Sequence, residues 1–154
     1  MEVQIVTFPE TKVVMLTHFG TAAEEHETAR RLAAWKVKNG RLDQDRYRTY
    51  GLHYSRRSES PTERYRVDFC LSVEEDVDSD DSGVVQTVIP GMRCALARDI
   101  GSRLDNKAAA FLVGEWLPGS GEEMSGYPLI FHYVNVGPSV KPDEAITDVY
   151  LPLK

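Results

Sequence analysis

The first residues in this chain whose types could do chemistry are two His-Tyr pairs, His53-Tyr54 and His132-Tyr133. Two imidazoles brought together could share a metal ion. Without an acid or thiolate on the same face they make a poor ligand set, and hydrogen-bonded structural histidines fit better. Asp76-x-Asp78-x-Asp80 has the opening spacing of a calcium loop. The next position is Asp81 where that loop needs glycine, and the twelfth is Thr87 where it needs glutamate, so the pattern fails. Cys70 and Cys94 each lie inside a strand-like run and read as reduced, buried thiols. There is no Gly-x-Ser-x-Gly, His-Glu-x-x-His, phosphate loop or dinucleotide fingerprint. These residues designate no catalytic group, no metal site and no cofactor, and nothing among them argues for an enzyme.

The chemistry left is that of aromatic rings, and strands must position it. Tyr127 to Gly137 (YPLIFHYVNVG) is mostly apolar or aromatic and is bounded by proline and glycine, as a largely buried strand is. Tyr50 to Tyr54 echoes it. Further strands are expected over Val3–Phe8, Lys12–Phe19, Tyr65–Val73, Val84–Ile89, Met92–Ile100 and Ile146–Leu151. Thr21-Ala22-Ala23-Glu24 is a capping box. It opens a helix with Ala29, Leu32, Ala33 and Val37 inward and Trp35 on the flank, stopped by Asn39-Gly40. Arg41 to Arg48 is a charged loop, and a polar segment containing Pro61 joins two strands. A second helix is expected over Lys107–Trp116, capped by Asp105 and ended by Pro118-Gly119.

The 154 residues suit one domain with a real core, and 42% hydrophobic against 27% charged is ordinary for a globular protein. No apolar run approaches the roughly 20 residues of a membrane helix. The acidic start, Met1-Glu2-Val3-Gln4, is not a secretory signal, which implies a cytoplasmic protein. A net charge of −6 disfavours direct nucleic-acid binding.

The elements occur twice. Pro9 and Pro90, Gly20 and Gly101, Trp35 and Trp116, and Gly40 and Gly121 each stand 81 apart; Asp68 and Asp148 stand 80 apart and the His-Tyr pairs 79. The expected fold is therefore α+β: a duplicated strand-strand-helix-strand-strand unit with pseudo-two-fold symmetry, one antiparallel sheet and two main helices. Repeat one spans 1–73, an acidic linker 74–82 and repeat two 83–154, with a groove where equivalent strands meet.

Pro9 through Gly20, Pro90 through Gly101, Pro128-x-x-Phe131-x-Tyr133-x-Asn135 and Thr147 through Pro152 carry a family likeness. Over essentially its whole length the chain resembles the GyrI-like (SbmC) small-molecule-binding domain, also found in AraC- and MerR-type regulators. The resemblance implies a groove for lipophilic, often cationic, molecules, anchored by a glutamate where this chain has Phe131. Loss of that carboxylate weakens the case for a cation, and for the hydrolase activity of some relatives.

Alternation then places Phe131, Tyr133 and Asn135 in the groove with Tyr50, Leu52 and Tyr54 opposite them, Trp35 and Trp116 above, and Tyr150 alongside. The expected ligand is a small lipophilic or aromatic molecule. Cation–π attraction is worth about 0.5–2 kcal/mol if that molecule is charged. Asp68 and Asp148 are expected to face solvent or to pair at strand edges. The resemblance also allows a protein–protein inhibitor of DNA gyrase, as the family's namesake is, or a weak hydrolase.

Overall fold

The computed structural model describes residues 1–54 and 62–154, in which eight antiparallel strands form one sheet. They are β1 (Gln4–Phe8), β2 (Thr11–Gly20), β3 (Thr49–His53), β4 (Tyr65–Ser72), β5 (Val85–Ile89), β6 (Met92–Ile100), β7 (Leu129–Tyr133) and β8 (Ile146–Pro152). Their order is β1-β6-β8-β7-β3-β4-β2-β5. It reads the same from either end when the first four strands are exchanged for the last four. The ladders follow suit: Gln4 pairs with Leu96, and Val85, 81 residues after Gln4, pairs with Met15, 81 before Leu96. The segment around Pro61 lies outside the described residues.

The sheet curls. Phe8 on β1 and Tyr50 on β3 are four places apart in the order, which in a flat sheet would separate them by about 19 Å. Their ring centroids lie 5.7 Å apart. This inner face buries Phe8, Val13, Tyr50, Leu52, Cys70, Ile89, Cys94 and Ile130 without any helix over it.

The outer face carries the helices. Helix α1 (Ala22–Lys38) buries Glu25, Thr28, Leu32 and Trp35, residues three to four apart. Trp35 thus belongs to the core with Val14, Leu16, Tyr47 and Leu71, while Val37 is 65% exposed. The expected inner face was rotated by part of a turn. Ala29 and Ala33 dilute the apolar signal on this helix, and the bulky Trp35 sets its orientation. Thr21 is the N-cap, but its hydroxyl donates to the Glu24 carboxylate (3.2 Å) and not to a helix N–H.

The second helix begins as α2 (Lys107–Phe111), widens into a π-helical turn at Leu112–Trp116 and continues as α3 (Leu117–Ser120), longer than expected. Pro118 has no N–H for the carbonyl of Gly114, and the turn before it is the widened one. Its cap is not Asp105: the Lys107 N–H donates to Asp99 Oδ2 at 3.2 Å. This helix covers Ala95, Ala97, Val149 and Leu151.

Candidate ligand pocket

Between α1 and the middle of the outer face lies a cavity of about 380 Å³. Its floor is a cross-strand patch made of Thr49 and His53 on β3, Phe69 on β4, Phe131 and Tyr133 on β7, and Val149 on β8. One wall is the stripe Glu25, Ala29, Leu32, Ala33 and Lys36 of α1. Ala29 and Ala33 are small, so the helix stands over the sheet without filling the space beneath it. The other wall is Asp99 with Arg103, Leu104 and Asn106 from the loop before α2.

The floor is internally braced. Phe131 is 4% exposed, and the His53 ring lies over it with centroids 4.1 Å apart. The Tyr133 hydroxyl and His53 Nε2 are hydrogen-bonded to each other at 2.9 Å. Gly51 makes this contact possible, because a Cβ there would sit 2.7 Å from the Tyr133 hydroxyl oxygen.

Charges line both walls. Tyr65 donates its hydroxyl to Glu25 Oε1 at 2.8 Å, and Asp99 is engaged by the Lys107 N–H. Lys36 Nζ donates to Thr49 Oγ1 at 3.2 Å, and burial lowers its pKa. Arg103 Nε donates to Thr147 Oγ1 (3.0 Å), and its Nη2 donates to the carbonyls of Asn135 (2.8 Å) and Ile146 (2.9 Å) and to Asn135 Oδ1 (3.2 Å). Burial also lowers the Arg103 pKa, while the Tyr133 ring beneath it, 5.2 Å away, acts in the opposite direction.

Of the residues expected to line a groove, the structure brings Phe131 and Tyr133 to the pocket. Tyr50, Leu52 and Tyr54 do not face it, which corrects the expected register. Gly51 pairs with Phe131 and Thr49 with Tyr133, so Thr49, Gly51 and His53 share the pocket face. Tyr50 and Leu52 are buried in the inner core. Tyr54 donates to Asp68 Oδ2 at 2.6 Å. The cause is a one-residue slip. The His-Tyr echo aligns β3 with β7 at 79, whereas Tyr50 pairs with Cys70 as Ile130 pairs with Tyr150, 80 residues on in both strands. A slip of one exchanges the faces. It also parts His53 from His132, which lie on opposite faces.

Tyr150 packs on Phe8 in the inner core, centroids 5.1 Å apart. Trp35 is core, and Trp116 packs beside Ala108 and Leu112 away from the pocket. Asn135 acts as a brace, its Oδ1 accepting from the Ile146 N–H at 2.7 Å and from Arg103. Asp68 and Asp148 are not solvent-facing. Asp68 is fully buried and accepts from Thr17, Tyr54 and Arg66, and Asp148 is paired by Arg98 at 2.8 and 3.0 Å.

The family description "GyrI-like small molecule binding domain" matches residues 1–154. The chain belongs to the GyrI-like family. It is 30% identical to the probable transcriptional regulator YgiV of Escherichia coli K12, over 99% of this chain and 96% of that protein. Among solved structures it is similar to the C-terminal domain of EcmrR (TM-score 0.77, 14% identity, 99% of this chain and 97% of that one). It is also similar to a hydrolase from Listeria innocua (TM-score 0.70, 14% identity, 99% and 92%). At such identities these two likenesses show the fold. No helix among the described residues is long and apolar enough to cross a membrane.

Within this GyrI-like pocket, the α1 stripe and Arg103 were not among the residues expected from sequence. The α1 stripe had a legible signal in Ala29, Ala33 and Lys36, small residues at helical spacing beside a cation. Arg103 had none, since its place depends on how the 101–106 loop crosses β8.

Proposed function

We infer that the protein binds a small lipophilic or aromatic molecule in the pocket beneath α1 and works as a ligand-sensing module. The observation that carries this is a cavity of about 380 Å³ floored by Phe69, Phe131 and Tyr133, within the range of ligand sites, under a helix whose alanines leave the space beneath it unfilled. YgiV is a probable transcriptional regulator, which agrees with sensing. On the same reading, residues 1–73 and 83–154 are two copies of one unit joined by the acidic 74–82 segment. The strand order supports this, and the pocket draws its walls from both.

Ala33 is exposed on α1 and lines the cavity, so Ala33→Trp fills the space without touching the core. Isothermal titration with naphthaleneethanol is expected to show saturable binding to the wild type and none to Ala33→Trp, at unchanged thermal midpoint. Equal binding by both proteins would place the ligand elsewhere and refute this reading.

A further inference from the structure

Thr49, Tyr133 and Thr147 form one row across β3, β7 and β8, each directly paired with the next. Lys36 is bonded to the first of these and Arg103 to the last, and the Arg103 guanidinium stands over the Tyr133 ring between them. Neighbouring strands lie about 4.8 Å apart, so the anchoring threonines are about 10 Å apart and two cations flank one end of the aromatic floor. Among the described residues, neither cation is in an ion pair, and all their hydrogen-bond partners are neutral oxygens. Arg103 Nη1 donates to none of those partners. Two acids line the same pocket, Glu25 and Asp99, the latter opposite Thr147 in the β6–β8 ladder, and each accepts from a neutral donor. Glu25 is eleven residues along α1, about 16 Å from Lys36 at helical rise. It accepts from Tyr65, and Asp99 accepts from the first turn of α2.

We propose that the pocket selects a lipophilic carboxylate, with the anion held between Lys36 and Arg103 and the apolar body lying over Tyr133 and Phe131 beneath Ala29 and Ala33. This rests on the pocket reading above and fixes the sign of the ligand's charge. Two half-buried cations outside any direct ion pair are costly, and burial already lowers the pKa of both. A carboxylate returns to them what water loss removed, through charge-assisted hydrogen bonds, and Arg supplies a planar fork that suits it.

The test is a matched series of naphthaleneacetate, naphthaleneethanol and naphthaleneethylammonium, titrated calorimetrically into wild type, Lys36→Met and Arg103→Lys. The anion is expected to bind the wild type about tenfold or more tighter than the alcohol, with the ammonium weakest. Lys36→Met is expected to weaken the anion more than the alcohol, so that the anion's preference over the alcohol falls several-fold. Arg103→Lys keeps the charge and is expected to lose only part of the preference. Alcohol or ammonium binding as well as the anion, or an anion preference undiminished in Lys36→Met, overturns this proposal and leaves the pocket reading standing. Absence of binding by all three overturns both.

Discussion

Gly51→Ala tests how the pocket floor is held. The added Cβ would lie 2.7 Å from the Tyr133 hydroxyl oxygen, and 3.1 Å from both Tyr133 Cε2 and His53 Nε2. All three are too close, so a neighbour must move. Tyr133 is only half-buried and its open side is the cavity, so its ring is the part that yields. The cost is the Tyr133–His53 hydrogen bond, about 0.5–1.5 kcal/mol, plus about 1 kcal/mol of overpacking. Alanine in a strand returns about 0.5–1 kcal/mol through the unfolded chain. The net is a loss of about 1 kcal/mol, or about 2–4 °C in midpoint for a chain of this size. Ligand affinity should fall further, because the displaced ring enters the space a ligand occupies. Differential scanning calorimetry and titration with naphthaleneethanol read the two effects separately. In a Tyr133→Phe background the same substitution should cost less, giving a measurable coupling. An unchanged midpoint with unchanged affinity would show that Gly51 has no part in holding Tyr133.

Asp68→Asn should lower stability by about 2–3 kcal/mol in urea unfolding. A fully buried carboxylate there accepts from Thr17, Tyr54 and Arg66, and half-exposure of Arg66 keeps the loss below that of a wholly buried pair. Cys70 and Cys94 should resist iodoacetamide near pH 8 in the native protein and react fully in denaturant. Burial pushes the Cys94 thiol to about 11 and Cys70 higher still. His132 has its pKa lowered from the ordinary 6.5, chiefly by burial, with Asp148 acting in the opposite direction. The unfolded chain therefore binds the proton more readily, so this contribution is whole above pH 6.5 and is lost as pH falls below it. His132→Gln should flatten the decline of stability between about pH 6.5 and 5.

The strands were legible because they are written in alternation and punctuation, and these act locally. Pro9, Gly20, Pro90 and Gly101 bound β1, β2, β5 and β6 as their chemistry requires, and Phe131 and Tyr133 fall on the pocket face that alternation gives them. The first-half groove residues were not legible from the His-Tyr echo, since pairing obeys the ladder and not the resemblance of two dipeptides. Gly51 faces Phe131, and every neighbour of Gly51 follows from that single pairing. The turn of α1 was obscured for a related reason. Ala29 and Ala33 look like core residues by type, yet their small size creates the cavity, and only the position of Trp35 reveals which stripe is packed. Arg103 depends on bonds to Asn135, Ile146 and Thr147, residues more than thirty positions away, and no local pattern encodes it.

The exchanged outer strands bear on how the chain is made. During synthesis Gln4 to Phe8 emerges long before its partner, Met92 to Leu96, so β1 has no ladder to join until that later strand has left the ribosome. The edge of β2 waits for β5 in the same way, and cutting the chain at the acidic segment would leave each half without one outer strand. Assembly is therefore delayed and mutual, with a long interval of unpaired edge. Co-expressed fragments 1–78 and 79–154 should come together in the cell better than either alone stays soluble.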